Sequence, residues 1–415
     1  MTRHWIRRFP VRGLTPVARS AVRAAVATST ALLLATAVTL LRAPAAGAGD
    51  TAIRVRVTNA LDSPRAGETV ELTAATLAGR VPPEELPRLS VTDLGTGREL
   101  LAQAVDQDGD ERFDLVVFQL DLGPRETREL ALTRREPRER RREDYRVYGR
   151  FVRERQDDFA WENDRVAFRV YGQALETFAK EPLTSSAVDA WSKRTSRLVL
   201  NDWYLTDDYH RDHGEGGDFY PAGKTRGCGG SGLVTANGLL VSRNFRGSRV
   251  LASGPLRLVF ELDYPVWDAL PNVREKKRVT LDAGSHFNRF ESVYTGVDGA
   301  TVAWAAGARK AKDAQSATDR ERGFARTWEF QGRYGDGGQL GCAVVMDPAQ
   351  IVEIKEADGN LLLLARTAAD EPARWYAGSG WDRGGEFPDV ASWDRHVSDF
   401  ARRLASPLRV EVLAP

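Results

Sequence analysis

The chain has 415 residues, with 59 lysines and arginines against 58 acids and only two cysteines; that length holds several domains or one large β architecture. Residues 1–48 carry seven arginines and no acid. Without them 52 basic residues face 58 acidic ones, a formal charge of about −6, which excludes the basic face of a nucleic-acid binder.

From the N-terminus, the apolar run "TSTALLLATAVTLL" (28–41) follows the arginines and is too short for a comfortable membrane span. "AGA" (46–48) then supplies small residues at a cleavage site, so 1–48 reads as a signal peptide cut after Ala48 and the product as secreted or periplasmic. An uncleaved anchor is the alternative; "RRF" (7–9) hints at twin-arginine export, without the rest of that pattern. After cleavage no membrane contact is expected.

Residues 49–133 form an N-terminal β-sandwich segment. "TAIRVRVTN" (51–59), "ETVELTA" (68–74), "RFDLVVFQLDL" (112–122) and "TRELALT" (127–133) alternate apolar and polar residues between Gly, Pro and Asp turns. Within it "VDQDGDERFD" (105–114) resembles a calcium loop, but Glu111 stands where glycine is expected and Val117 where a bidentate Glu would sit. The interleaved charges of 134–145 read as a solvated linker. Residues 146–415 are an aromatic-rich body with further strands at 164–172, 256–264, 276–282, 287–296 and 408–413. One helix is predicted over 389–405, where Val390, Trp393, Val397, Phe400 and Leu404 recur at helical spacing, with Asp389 or Ser392 as cap and Pro407 as stop. His396 beside that stripe reads as packing or surface. The expected class is mostly β, a large antiparallel β-sandwich with few short helices; regular βαβ alternation is absent.

Chemistry concentrates in "YHRDHGEGGDFYPAGKTRGCGG" (209–230), which holds His210, His213, Tyr220, Lys224 and Arg226 among seven glycines. Histidine titrates nearest working pH, so two beside acids suit proton transfer, or metal ligation by His210, His213 and Glu215. Tyrosine serves as acid or base when cations lie near, and arginine grips a carboxylate with a planar fork. Glycines 227, 229 and 230 would let a ligand approach the backbone. Together these groups suit β-elimination from a uronic acid, whose C5 proton becomes acidic once the carboxylate is neutralised. An ordered, salt-bridged surface hairpin is the plainer alternative. "ERQDDFAWENDRVAFRVYG" (154–172) places Trp161 and Glu162 ahead of a strand, as a sugar platform and hydroxyl acceptor or as strand-entry packing. "WSKRT" (191–195) offers Lys193 and Arg194 as anion contacts or plain surface, and His286 sits between two strands as a turn residue. Cys228 and Cys342 form at most one disulfide, and spacing alone does not decide it. Serine-hydrolase, P-loop and dinucleotide signatures are missing.

Four stretches in fixed order, 155–172, 209–230, 279–291 and 378–397, resemble a secreted bacterial family described as a domain of unknown function, DUF4861. The resemblance covers 145–415 closely and 50–133 more loosely. It implies a supersandwich of the mutarotase and polysaccharide-lyase kind and a place in polysaccharide utilisation. One branch acts as an oligosaccharide dehydratase, removing water across C4–C5 of a non-reducing-end uronate to leave a 4,5-unsaturated sugar. The expected activity is therefore that dehydration, with a uronic-acid oligosaccharide of ulvan or pectin type as partner. His210, His213, Tyr220 and Arg226 are the catalytic candidates, and Trp161, Glu162, Lys193 and Arg194 the substrate contacts. A chain-cleaving lyase and a non-catalytic carbohydrate-binding protein are the alternatives. No cofactor is assigned; a divalent metal on "HRDHGE" stays open, as does the oligomeric state.

Overall fold

A computed structural model describes residues 52–136, 139–369 and 371–414; the expected export signal, 1–48, lies outside them. The chain is mostly β, built from antiparallel sheets, as the alternating segments predict. In the N-terminal sandwich, the strands Ile53–Thr58, Thr127–Arg134, Leu89–Asp93 and Glu99–Leu100 face the sheet of Arg65–Thr73, Leu115–Leu122 and Ala102–Val105. Alternate residues of both, among them Val55, Val57, Leu72, Val91, Phe118 and Leu132, bury into one dry core. Its outer strand comes from the far end of the chain: Arg409–Val412 pairs antiparallel with Ile53–Thr58. The strand expected at 408–413 thus belongs to the first sandwich, though it lies at the end of the body's sequence.

The body has an eight-stranded sheet running through Arg257–Asp263, Arg274–Asp282, Phe287–Thr295, Ala373–Trp381 and Gln339–Val345. Against it lies a five-stranded sheet centred on Cys228–Thr235, Thr301–Arg309 and Asn360–Ala368. Cys228 and Cys342 are bonded across this core with Cα atoms 5.5 Å apart, closing a separation of 114 residues. A third sheet, Val147–Val152, Asp158–Asn163, Ala167–Val170, Asp189–Lys193 and Gly216–Gly217, carries the candidate site. Gln103 ties the sandwich to the body, its amide donating to the Arg257 carbonyl at 2.9 Å while its oxygen accepts from the Leu256 and Arg257 amides at 2.8 Å.

The predicted helix is present as Val390–Ala405, with the Asp389 carboxylate accepting from the Ser392 amide at 2.8 Å. Trp393, Val397 and Ala401 bury its inner face against Phe287, Phe387 and Trp328. A second helix, Leu200–Thr206, leaves no clear sequence signal: it is seven residues long and has no side-chain cap.

Candidate functional site

One cluster of four charges, Asp158, Arg169, Asp189 and Asp218, is buried at the third sheet. Arg169 lies directly across the ladder from Asp189. Its Nη2 donates to Asp189 Oδ2 at 2.6 Å and to Asp218 Oδ2 at 2.7 Å, and its Nη1 lies 3.7 Å from Asp158. The Tyr171 hydroxyl also donates to Asp189, at 3.1 Å. Three carboxylates thus contact one guanidinium in a dry setting, walled by Trp191, Tyr204 and Tyr209. Burial above all lifts Asp158 and Asp189 to about 7, with Arg169 opposing the shift. Both Asp158 oxygens, Arg155 Nη1, Arg169 Nη1 and the Tyr204 hydroxyl are buried without a hydrogen-bond partner. Polar groups left so incompletely satisfied cluster at functional sites more than in structural cores.

Above this array sits His210. Its Nδ1 is 2.9 Å from the Asp218 carbonyl. A carbonyl oxygen only accepts, so Nδ1 carries the proton and Nε2 keeps the lone pair. Burial lowers the His210 pKa from its ordinary value, against the opposing pull of that carbonyl, which favours the neutral, basic ring. The ring stacks on Tyr334 with centroids 4.1 Å apart. The two line a cleft of about 390 Å³ together with Phe219, Arg211, Asp336 and Arg383. Arg383 is held by Asp336 at 2.5 Å. Arg333 lies over the Tyr334 ring, and its charge reaches His210 and Asp218. Among the described residues neither Arg211 nor Arg333 forms an ion pair, so both guanidinium groups are uncommitted.

The other expected residues fall elsewhere. His213 is exposed and bonded through Nε2 to Asp208 at 2.8 Å, beside the cleft but turned to a surface partner. Tyr220 is buried, and burial, then Glu329, raises its pKa well above the ordinary value, so it holds its proton. Arg226 is buried under the sheet, donating to Ser186 Oγ at 3.1 Å and the Ser231 carbonyl at 3.2 Å. Burial pulls it down to about 10, and no substrate carboxylate reaches it there. Gly227, at φ +57°, clears the Val188 carbonyl, which an added Cβ would meet at 2.0 Å. The close approach the glycine permits is to the chain itself, not to a ligand.

Trp161 and Glu162 are not ahead of a strand but inside one, in a hairpin that pairs Trp161 with Phe168 and Glu162 with Ala167. Trp161 is fully buried, stacked on Phe168 at 5.6 Å and donating to Asn288 Oδ1 at 2.7 Å, so no sugar face can lie on it. Glu162 and Lys193 form a fully buried pair at 2.7 Å, and Glu162 also accepts from the Leu200 amide at the start of the short helix. That pair fixes structure. Arg194 is exposed, paired with Asp212, and lies 4.8 Å over the Trp381 ring at the side of the cleft. His286 is buried against Phe387 and His396 at 4.9 Å each. Of the expected set, then, only His210 lines the cleft, and Arg194 and His213 border it through their partners Asp212 and Asp208.

His210, His213 and Glu215 do not converge on a metal position. Among the described residues the group that gathers three such ligand atoms within 4.8 Å is Asp106, Asp108 and Asp114. Those acids also hold the turn, Asp106 accepting from the Gly109 amide at 2.6 Å and the Glu111 amide at 2.9 Å. Glu111 takes the left-handed φ of 70° that a glycine would adopt more readily.

Sequence reasoning missed Tyr334, Arg333 and the Arg169 array. The loop "QGRYGDGG" (331–338) also gathers glycines around charges and a tyrosine, as 209–230 does, and that was the available signal. Arg169 was a charge inside an otherwise apolar strand, Ala167–Val170, where only a buried partner can satisfy it.

A family model described as "Domain of unknown function (DUF4861)" matches residues 57–410. A curated relative, "Uncharacterized protein P7" of Formosa agariphila, is 32% identical over 373 residues, covering 86% of this chain and 93% of its own length. Two solved structures from Enterococcus faecalis are similar over 88% of this chain at 10% identity: a protein in glycosyl hydrolase family 38, with a TM-score of 0.45, and an alpha-mannosidase, with 0.40. The chain spans less than half the length of either, 47% and 46%. With the family model spanning most of the chain, this protein belongs to the DUF4861 family.

Proposed function

We propose that the protein is an exported dehydratase that eliminates water across C4–C5 of a non-reducing-end uronate in an oligosaccharide. The observation that carries this reading is His210: its Nδ1–H is committed to the Asp218 carbonyl, so Nε2 is a neutral base at the edge of an open cleft. Arg211 on the cleft wall, with Arg333 behind it over the Tyr334 ring, pairs with the substrate carboxylate in place of the buried Arg226. Neutralising that carboxylate makes the C5 proton acidic and stabilises the charge that builds on the carboxylate as the proton leaves. His210 Nε2 takes the C5 proton, the C4=C5 bond forms, and the C4–O bond breaks. The Tyr334 hydroxyl protonates the departing oxygen, so water leaves. The tyrosinate then recovers its proton from the histidinium, and the site returns to its starting state. A tyrosine is protonated at neutral pH, as an acid requires, and partial desolvation raises the Tyr334 pKa further.

The test is to incubate the protein with saturated uronate oligosaccharides of ulvan and pectin type and follow products by mass. Loss of one water at unchanged chain length, with the ultraviolet absorbance of a conjugated uronate, is expected. Shortened chains would make the protein a lyase. Binding without turnover would make it a carbohydrate-binding protein.

A further inference from the structure

A cavity of about 490 Å³ lies at the seam where strand Arg65–Thr73 of the N-terminal sandwich meets the body sheet and the helix Val390–Ala405. It shares no lining residue with the cleft around His210. Its size is in the range of roughly 300–1,000 Å³ typical of small-molecule sites. Its charged lining balances: Glu68, Glu71 and Asp282 face Arg257, Arg289 and Arg403.

These charges are not equally satisfied. Arg257 is saturated, with Asp282 at 2.6 and 2.7 Å and Glu71 at 2.5 Å. Arg289 is not. Its Nη2 donates only a long bond to Gln107 Oε1 at 3.5 Å, its Nε has no hydrogen-bond partner, and its nearest carboxylates are Glu291 at 3.5 Å and Glu71 at 3.9 Å. Thr280 Oγ1, on the same wall, is buried and also unpartnered. Tyr376 and Phe400 meet edge to face at 5.5 Å and give the wall an aromatic surface.

We propose that this seam cavity binds a neutral sugar residue. A charge-balanced lining gives no field to hold an anion or a cation. Hydroxyl groups both donate and accept, so a vicinal pair matches a guanidinium on one side and a carboxylate on the other. Aromatic rings cover the apolar C–H face of such a ring. The proposal is independent of the elimination reading, since it concerns binding at residues that reaction does not use.

Saturation-transfer NMR and calorimetry on the full chain, with cellobiose and xylobiose as neutral probes and digalacturonate as the acidic one, test it. The neutral disaccharides should bind, and Arg289→Ala should weaken them about tenfold or more. Tyr376→Phe keeps the ring and guards against misfolding; it should weaken them by a smaller factor. His210→Gln should leave their binding in place. Neutral probes that fail to bind, or that ignore both seam substitutions, would overturn the proposal. So would loss of their binding in His210→Gln, or digalacturonate binding that depends on Arg289.

Discussion

His210 differs from the other candidate side chains by position, not by type. Histidine, tyrosine and arginine were all legible as chemistry in 209–230, but residue type does not say which side of a sheet a side chain faces. Tyr220 and Arg226 turned inward, His210 outward, and Tyr334 arrived from a loop more than a hundred residues on. The same ambiguity hid Trp161: a tryptophan fits a sugar platform and a β-core equally well until its neighbours are known. As core, Trp161→Ala should lower stability by about 3–5 kcal/mol, while the milder Trp161→Phe should lower the melting temperature and leave KM unchanged. A rise in KM with stability intact would return Trp161 to the binding surface. The buried acids give a pH prediction. Asp158 and Asp189 hold a proton up to about 7, whereas the unfolded chain loses it near the ordinary carboxylate value of 3.8. The folded state therefore binds more protons between those limits, and this contribution to stability is lost as pH rises through about 7. Asp158→Asn should accordingly be more stable than the natural protein at pH 8, by about 1–3 kcal/mol. That advantage should shrink toward pH 5; a pH-independent difference in melting temperature would contradict it. Comparing the two proteins at each pH cancels the buried His286 and His396, whose lowered pKa values act in the opposite sense, costing stability as pH falls.

Among the elements, the long helix and nine of the strands were legible because their periodicity is one-sided and their ends carry turn or cap residues. The first strand of the hairpin Asp158–Val170 was not. All six residues of Asp158–Asn163 are buried, polar ones included, so the alternation that marks a half-exposed strand is absent. The short helix Leu200–Thr206 escaped for a related reason: its start is fixed by Glu162, from a distant strand, instead of by a local cap. The cysteines were undecidable from spacing and are joined in the structure, between a strand of each body sheet. Replacing both with alanine removes a cross-link over 114 residues, and stability should fall by about 2–5 kcal/mol, measured by denaturant unfolding. An unchanged midpoint would show that the bond contributes nothing to the fold.

Over the whole molecule, the N-terminal sandwich takes its last strand from the C-terminus, and this could not be read from alternation, which gives strands but not partners. Arg409–Val412 seats four residues against Ile53–Thr58, so deleting 408–415 exposes a sheet edge and part of the sandwich core. The truncated chain should lose stability in the sandwich first, seen as raised hydrogen exchange in Ile53–Thr58; uniform loss across the body would argue against a separate role for this strand. The site, by contrast, lies entirely within the body, and its central claim is that His210 Nε2 removes the C5 proton. The most direct measurement is turnover of a uronate oligosaccharide deuterated at C5 by the natural protein and by His210→Gln. A primary isotope effect is expected in the natural protein, and in the variant a loss in kcat of about 10²–10⁴-fold with KM little changed. A variant that turns over at the natural rate would contradict it.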